Sequence, residues 1–314
     1  MNYLDFFHFD NHPFVSDENV NYFFPKKSFL KIISEITELC RFKAGIFIIT
    51  GNAGVGKTII LKKILDNVSN NDFTLFIKSE EKTDILKIIA NKLGADSKNI
   101  NDVLSKLSNI YTKGKNVIIA VDDVEKLSKE EYINLYSLIQ VLPNLKIILC
   151  GKKGLYKQLH QKALQNIKSY IVKKVKIQHF SIFTAMKYIS YMEKNALALS
   201  QYKKVFSWFS VLTIAVLTNV NIKNTNFIAE QSLLNAFNNK KNKVGVKDVL
   251  IVVRKNLDLV KYNVYHKFQK AFFYMLLIFS LYYVGKIILD RQELINHIEA
   301  QKSVREQEKE IRNT

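Results

Sequence analysis

Arginine is scarce in this chain. Of 47 Lys and Arg residues in 314, only Arg41, Arg254, Arg291, Arg305 and Arg312 are arginine, and none lies between Arg41 and Arg254. Arginine's planar fork is the preferred clamp for phosphates and base edges. The lysine excess behind a net charge of +19 therefore does not by itself argue for sequence-specific nucleic-acid readout. Three causes fit it: an AT-rich coding bias that raises Lys, Asn and Ile together, an anionic membrane surface, and non-specific contact with nucleic acid. Cysteine is nearly absent too. Cys40 and Cys150 both lie in apolar stretches, which reads as small buried hydrophobes in a reducing compartment and excludes a disulfide framework. No His/Cys cluster has metal-ligand spacing. Met1-Asn2-Tyr3-Leu4-Asp5 carries an early acid with no apolar run behind it, so no signal peptide is expected. With 48% hydrophobic residues the chain can fill one large core or two smaller ones.

Against these absences stands one complete motif. Gly51-Asn52-Ala53-Gly54-Val55-Gly56-Lys57-Thr58 fits G-x-x-x-x-G-K-[ST]. Gly45 to Thr50 before it is apolar and β-branched, as a buried strand requires, and Ile59 to Leu65 after it has helical spacing. Strand, glycine loop and helix together make a phosphate-binding P-loop. The glycines let consecutive N–H groups curl around phosphate oxygens, and the helix aims its positive end at the same place. Residues Gly51 to Ile59 are the expected nucleotide cradle. Within it Lys57 neutralises the β- and γ-phosphates and Thr58 holds Mg2+ through its hydroxyl.

Four further strands are expected at Phe73–Ile77, Val117–Val121, Leu145–Leu149 and Ile171–Val175, at spacings that suit αβ units. The second of these runs straight into Asp122-Asp123. An apolar strand ending in two acids downstream of a P-loop has the look of a Walker B element. Asp122 then orients the magnesium ion and Asp123 polarises the attacking water, although Asp pairs in turns also serve as helix caps. Helical patterns at Asp84–Leu93 and Asn101–Tyr111 lie between the strands. After Phe180 only helical patterns remain, at Ile182–Glu193, Tyr202–Leu217, Asn226–Asn238 and Val246–Leu257. The expected architecture is an α/β P-loop domain of the AAA type over residues 1–180, with an α-helical lid over 181–260.

Ala271 to Leu289 is broken only by Lys286. It reads as one transmembrane helix of about 20 residues, provided that lysine snorkels. Arg254, Lys255, Lys261, Lys267 and Lys270 precede it, so the positive-inside rule places the N-terminal side in the cytoplasm. Residues 290–314 form a short polar tail. Val205 to Ile222 is also uncharged, but its strongly apolar part ends at Leu217 and has the length of a core helix.

Phe7-His8-Phe9-Asp10-Asn11-His12-Pro13-Phe14, the P-loop, Val121-Asp122-Asp123-Val124-Glu125-Lys126-Leu127, Leu149-Cys150-Gly151-Lys152 and Asn221-Ile222-Lys223 follow in that order. The order resembles the ExeA/GspA group of AAA ATPases, membrane-linked helpers of type II secretion and type IV pilus assembly. The resemblance covers about Tyr3 to Val253. It implies ATP and Mg2+ as cofactors, Lys57, Asp123 and Lys152 as catalytic groups with Lys152 at the sensor-1 position, Thr58 and Asp122 at the metal, a homo-oligomer, and an envelope membrane protein as partner. Where the family usually has arginine near the fifth strand, Lys168-Ser169-Tyr170-Ile171 stands here. A missing arginine finger implies slow hydrolysis and a switch-like use of nucleotide. A DNA-handling ATPase of the transposition or DNA-uptake type is the rival reading, and a nucleotide-sensing scaffold with little hydrolysis is the third.

Overall fold

The glycine loop sits at the end of a strand, β1 (Gly45–Gly51), that has a parallel neighbour on each side. The chain is a computed structural model that describes residues 2–14, 23–68, 72–96, 99–155, 159, 162–197, 204–257, 274–287, 289, 291 and 292. With β2 (Phe73–Lys78), β3 (Val117–Asp122), β4 (Lys146–Gly151) and β5 (Ile171–Ile177), β1 forms a parallel sheet of order β2-β3-β4-β1-β5. β1, β3 and β4 are buried along their full length, which is why they read as unbroken apolar runs. Only β5, at the edge, alternates with lysines. Register pairs Thr50 with Gly151 and Lys78 with Asp122. The C-terminal ends of the strands, where α/β sheets bind ligands, therefore lie level with one another.

Helices α1 (Tyr3–Phe7), α2 (Lys27–Phe42), α3 (Lys57–Asn67), α4 (Ile85–Leu93), α5 (Ile100–Thr112) and α6 (Lys129–Val141) come before β4 in sequence. After β5 come α7 (Ile182–Ala196), α8 (Trp208–Leu217), α9 (Ile222–Asn238) and α10 (Val246–Lys255). α2 and α6 have no counterpart among the expected elements, although α2 buries a helical stripe of Phe29, Ile33, Ile36, Thr37 and Cys40. Cys150 is buried like Cys40, as their apolar surroundings suggested. Residues Met1–Leu259 form one compact unit and Val260–Thr314 a second.

The helix expected from Tyr202 begins only at Trp208, and the reason is electrostatic. Glu193 on α7 is buried, and its Oε1 accepts N–H bonds from Val205 at 2.5 Å and Phe206 at 3.1 Å. Val205 and Ser207 also bond to Val244. With its backbone committed, the segment stays extended until the Ser207 side chain caps α8. α9 starts earlier than expected, because Asn221 caps it in the same way.

The opening motif belongs to the helical bundle. Phe6 packs edge-on against Phe237, Tyr3 donates to Glu230, and the Asp10 N–H donates to the carbonyl of Ala196. Phe7, Phe9 and Phe14 are all buried.

The expected membrane span is not found. Among the described residues no helix is long and apolar enough to cross a membrane. The described helical residues of that stretch are 274–287 and 289. Residues 271–273 and 288 of that expectation, and nearly all of the tail, lie outside the described residues.

Burial raises the Glu193 carboxyl above the usual carboxylate range, opposed by its bonds from Phe206 and Val205 and by Lys204. A raised folded-state pKa contributes stability that is full below the unfolded value, about 4.3, and is lost as pH rises through the folded value. Glu193→Gln is therefore expected to flatten the fall in stability with rising pH across that window. Glu193→Ala strands two buried N–H groups and is expected to cost about 2–4 kcal/mol in urea unfolding.

Candidate nucleotide site

Gly51 closes β1 with little space around it. A Cβ there would lie 2.9 Å from Val55 Cγ2 and 3.2 Å from the Ile177 carbonyl oxygen. Gly54 and Gly56 hold φ of 72° and 88°, the left-handed region in which glycine carries no Cβ penalty. α3 starts directly at Lys57. Strand, loop and helix thus stand as the sequence predicts, with Asn52, Ala53 and Val55 completing the loop and Thr58 and Ile59 in the first turn.

Lys57 is buried, and its Nζ donates to the Asn52 carbonyl at 3.1 Å. The Thr58 hydroxyl donates to Asp122 Oδ2 at 2.5 Å. Asp122 is fully buried, and its Oδ1 accepts the Asp123 N–H at 2.9 Å. A hydroxyl and a carboxylate meeting at the sheet edge are the hard oxygen pair that magnesium takes in phosphate sites, so these residues fit Mg2+. Beneath them lies Cys150, whose thiol pKa is pushed well above its ordinary value by burial first and then by Asp122. It is an inert wall of the site.

The other two expected catalytic groups are tied elsewhere. Asp123 has φ 52°, and its Oδ2 lies 3.3 Å from Lys126 Nζ. A non-glycine residue at positive φ is uncommon and tends to mark functional turns. Lys152 follows β4 and is pinned by Glu125: its N–H donates to Oε2 at 3.0 Å, and its Nζ lies 3.3 Å from Oε1. Glu125 carried no role in the sequence reading. Its only signal there is an acid two residues beyond the Asp pair. A Cβ on Gly151 would meet Val124 Cγ2 at 2.8 Å and Glu125 Oε2 at 2.9 Å, so the Glu125 carboxylate would have to shift. His179, also without an assigned role, hydrogen-bonds the Asn52 side chain.

The helical bundle touches the loop directly. Asn221 Nδ2 donates to the Ala53 carbonyl at 3.0 Å, and the Ile222 N–H donates to the Gly54 carbonyl at 2.9 Å. A Cβ on Gly54 would lie 2.1 Å from Asn221 Oδ1. Ile222 Cδ1 and Phe29 Cε2 approach Gly56 from the other side, at 3.5 and 3.9 Å from where its Cβ would stand. The N-terminus of α9 is therefore fastened to the phosphate loop.

Residues 40–159 match a protein family described as an AAA domain. No curated protein matches the chain. Among solved structures it resembles the Aeropyrum pernix ORC2 protein in ADPNP–ADP complexes, with TM-score 0.63 and 13% identity over 78% of this chain and 71% of that one. The Aeropyrum pernix ORC1 protein in complex with DNA gives 0.63 and 13% over 79% and 69%. Domain III of the Thermotoga maritima replication initiation protein DnaA gives 0.55 and 18% over 79% and 99%. At these identities the likeness concerns the fold. It is also coarser than the ExeA/GspA grouping.

Lys57→Ala removes the buried ammonium and is expected to weaken Mg·ATP binding by about 10–100-fold in calorimetry, the size of a charged hydrogen bond. Asp122→Asn is expected to abolish the advantage of Mg·ATP over ATP alone. The five-stranded parallel sheet and the glycine loop give the chain a P-loop fold, and residues 40–159 within it match the AAA domain family.

Proposed function

We propose that this chain is an Mg·ATP-dependent ATPase used as a conformational switch, in which the helical lid reads the state of the phosphate loop. The carrying observation is the pair of bonds from Asn221 and Ile222 to the carbonyls of Ala53 and Gly54. Loop peptides whose carbonyls are held by the lid cannot turn to present their N–H groups to an anion without moving α9. Bound Mg·ATP supplies the γ-phosphoryl group and a divalent charge across its oxygens. Lys57 would give up the Asn52 carbonyl to reach phosphate, and Thr58 and Asp122 would hold the metal through their oxygens. Asp123 acts as the water-polarising carboxylate once Lys126 releases it, and Lys152 serves the sensor-1 position once it leaves Glu125. Each exchange spends binding energy on rearrangement, and the arginine-free stretch around Lys168 offers no finger. Hydrolysis without a partner is accordingly slow.

Two targets for the switch are supported by different observations. The buried Phe7, Phe9 and Phe14 of the opening motif favour the ExeA/GspA-like reading, with an envelope assembly as partner. A fold shared with an ORC1 protein bound to DNA and a charge of +19 support the DNA reading.

Asn221→Ala is expected to leave the fold intact and to change Mg·ATP affinity by about three- to tenfold, since one or two neutral hydrogen bonds are removed. Unchanged affinity and unchanged lid protection in hydrogen exchange with ATP would refute the latch. For the target, duplex DNA anisotropy between 50 and 200 mM salt separates the readings. A DNA-handling protein loses affinity about 10-fold or more over that range, whereas an envelope helper shows no saturable binding.

A further inference from the structure

A second cavity lies in the helical bundle, away from the phosphate loop. It has a volume of about 500 Å³ and is walled by Phe24, Phe183, Tyr191, Phe206 and Trp208. Its mouth is unusually apolar for a surface. Phe183 is 67% exposed, Trp208 61% and the adjoining Phe209 66%, whereas single exposed apolar residues scattered over a surface would need no explanation. The local structure holds these rings out. Ser181 caps α7 and Ser207 caps α8, so Phe183 and Trp208 fall in the first turns of two packed helices. Trp208 and Phe209 meet edge to face at 5.0 Å.

Among the described residues the exposed charge lining the mouth is all positive. Lys187, Lys194 and Lys204 line the cavity and are exposed, and Lys187 Nζ stands 4.7 Å over the Phe183 ring. The one carboxylate lining it, Glu193, is 1% exposed and is engaged by the Val205 and Phe206 N–H groups. It therefore offers nothing to a visitor. An aromatic slot rimmed by lysine matches an amphipathic helix that inserts large apolar side chains at i, i+3/i+4 and i+7 and carries acids on its flanks. Exposed tryptophan and phenylalanine are the residue types that anchor such contacts.

We propose that the slot between α7 and α8 is the docking seat for an acidic amphipathic helix of a partner protein, distinct from the nucleotide site. A basic nucleic-acid surface would place its lysines along an extended track with flat stacking platforms. A slot with volume is shaped for side chains.

The full-length chain carrying p-benzoylphenylalanine in place of Phe183 is irradiated in its own cells, and the adduct is mapped by mass spectrometry. The expected product joins position 183 to a protein segment with apolar residues at helical spacing and a net negative charge. A synthetic peptide of that segment then binds the unmodified chain and loses about tenfold in affinity to the Lys187→Glu/Lys204→Glu variant, as two exposed ion pairs turned repulsive require. Lys187→Gln/Lys204→Gln gives an intermediate loss should the reversed charges disturb folding. Both variants keep their Mg·ATP affinity, because neither lysine belongs to the phosphate site. The proposal is overturned by no adduct, by an adduct with nucleic acid, lipid or a second copy of this chain, or by a segment whose binding ignores the two lysines.

Discussion

Parallel pairing of β1 between β4 and β5, with β3 beyond β4, is the constraint on which the site depends. A parallel sheet with matched register delivers all its strand ends to one edge. Gly51, Asp122 and Gly151 close β1, β3 and β4, so the loop, the acid pair and the Lys152 segment arrive together without any long-range instruction in the sequence. The bond between Thr58 and Asp122 is the visible consequence, joining groups 64 positions apart in the chain. Breaking the register by one residue would turn each strand's side chains to the opposite face and separate them.

The second consequence is that the helices after β5 are not an appendage. Their anchor on Ala53 and Gly54 is one link. The other is a run of aromatic contacts: Phe24 meets Tyr191 and Phe180, and Phe180 meets Phe29, whose ring flanks Gly56. Lys26 stands over both Phe29 and Phe180, and burial lowers its pKa below the usual lysine value. Ring packing of this kind has few alternative arrangements. A shift of the lid is then resisted on one side by hydrogen bonds and on the other by shape. The slot walled by Phe24 and Tyr191 shares that aromatic run.

How much of this was legible follows from where the information lies. The strands were, because full burial on both faces leaves an apolar signature from Ile46 to Ile49 and from Val117 to Val121 that survives without tertiary context. The P-loop was, because its glycines answer to local backbone geometry. The start of α8 was not. Residues 204–207 have helical company, and only Glu193 and Val244, distant in sequence, hold them extended. The partners of Asp123 and Lys152 escaped notice for a different reason. Lys126 and Glu125 lie close in sequence, but choosing among many charged neighbours needs rotamers that composition does not carry. The membrane span was read from a hydropathy run, and residues 271–273 and 288 of that run lie outside the described residues, among which no spanning helix is found.

The three groups assigned to catalysis each hold a protein partner: Lys57 the Asn52 carbonyl, Asp123 the Lys126 ammonium, Lys152 the Glu125 carboxylate. The two ion pairs are not equivalent to the first bond. Lys152 is 61% exposed and Lys126 42%, so solvent screens both pairs and each is worth no more than about 1 kcal/mol. Lys57 is 8% exposed, and a charged donor in that setting needs its acceptor, because leaving it bare costs about 1–3 kcal/mol or more. The order of events follows from these magnitudes. In the proposed switch Lys57 leaves Asn52 only when a phosphate replaces it, whereas Asp123 and Lys152 exchange partners freely. Asn52 and Ala53 are adjacent, and Ala53 is where Asn221 is fastened. In the proposed switch the move of highest cost thus falls next to the anchor of α9, and that adjacency makes nucleotide loading, rather than hydrolysis, the step the helices after β5 would feel.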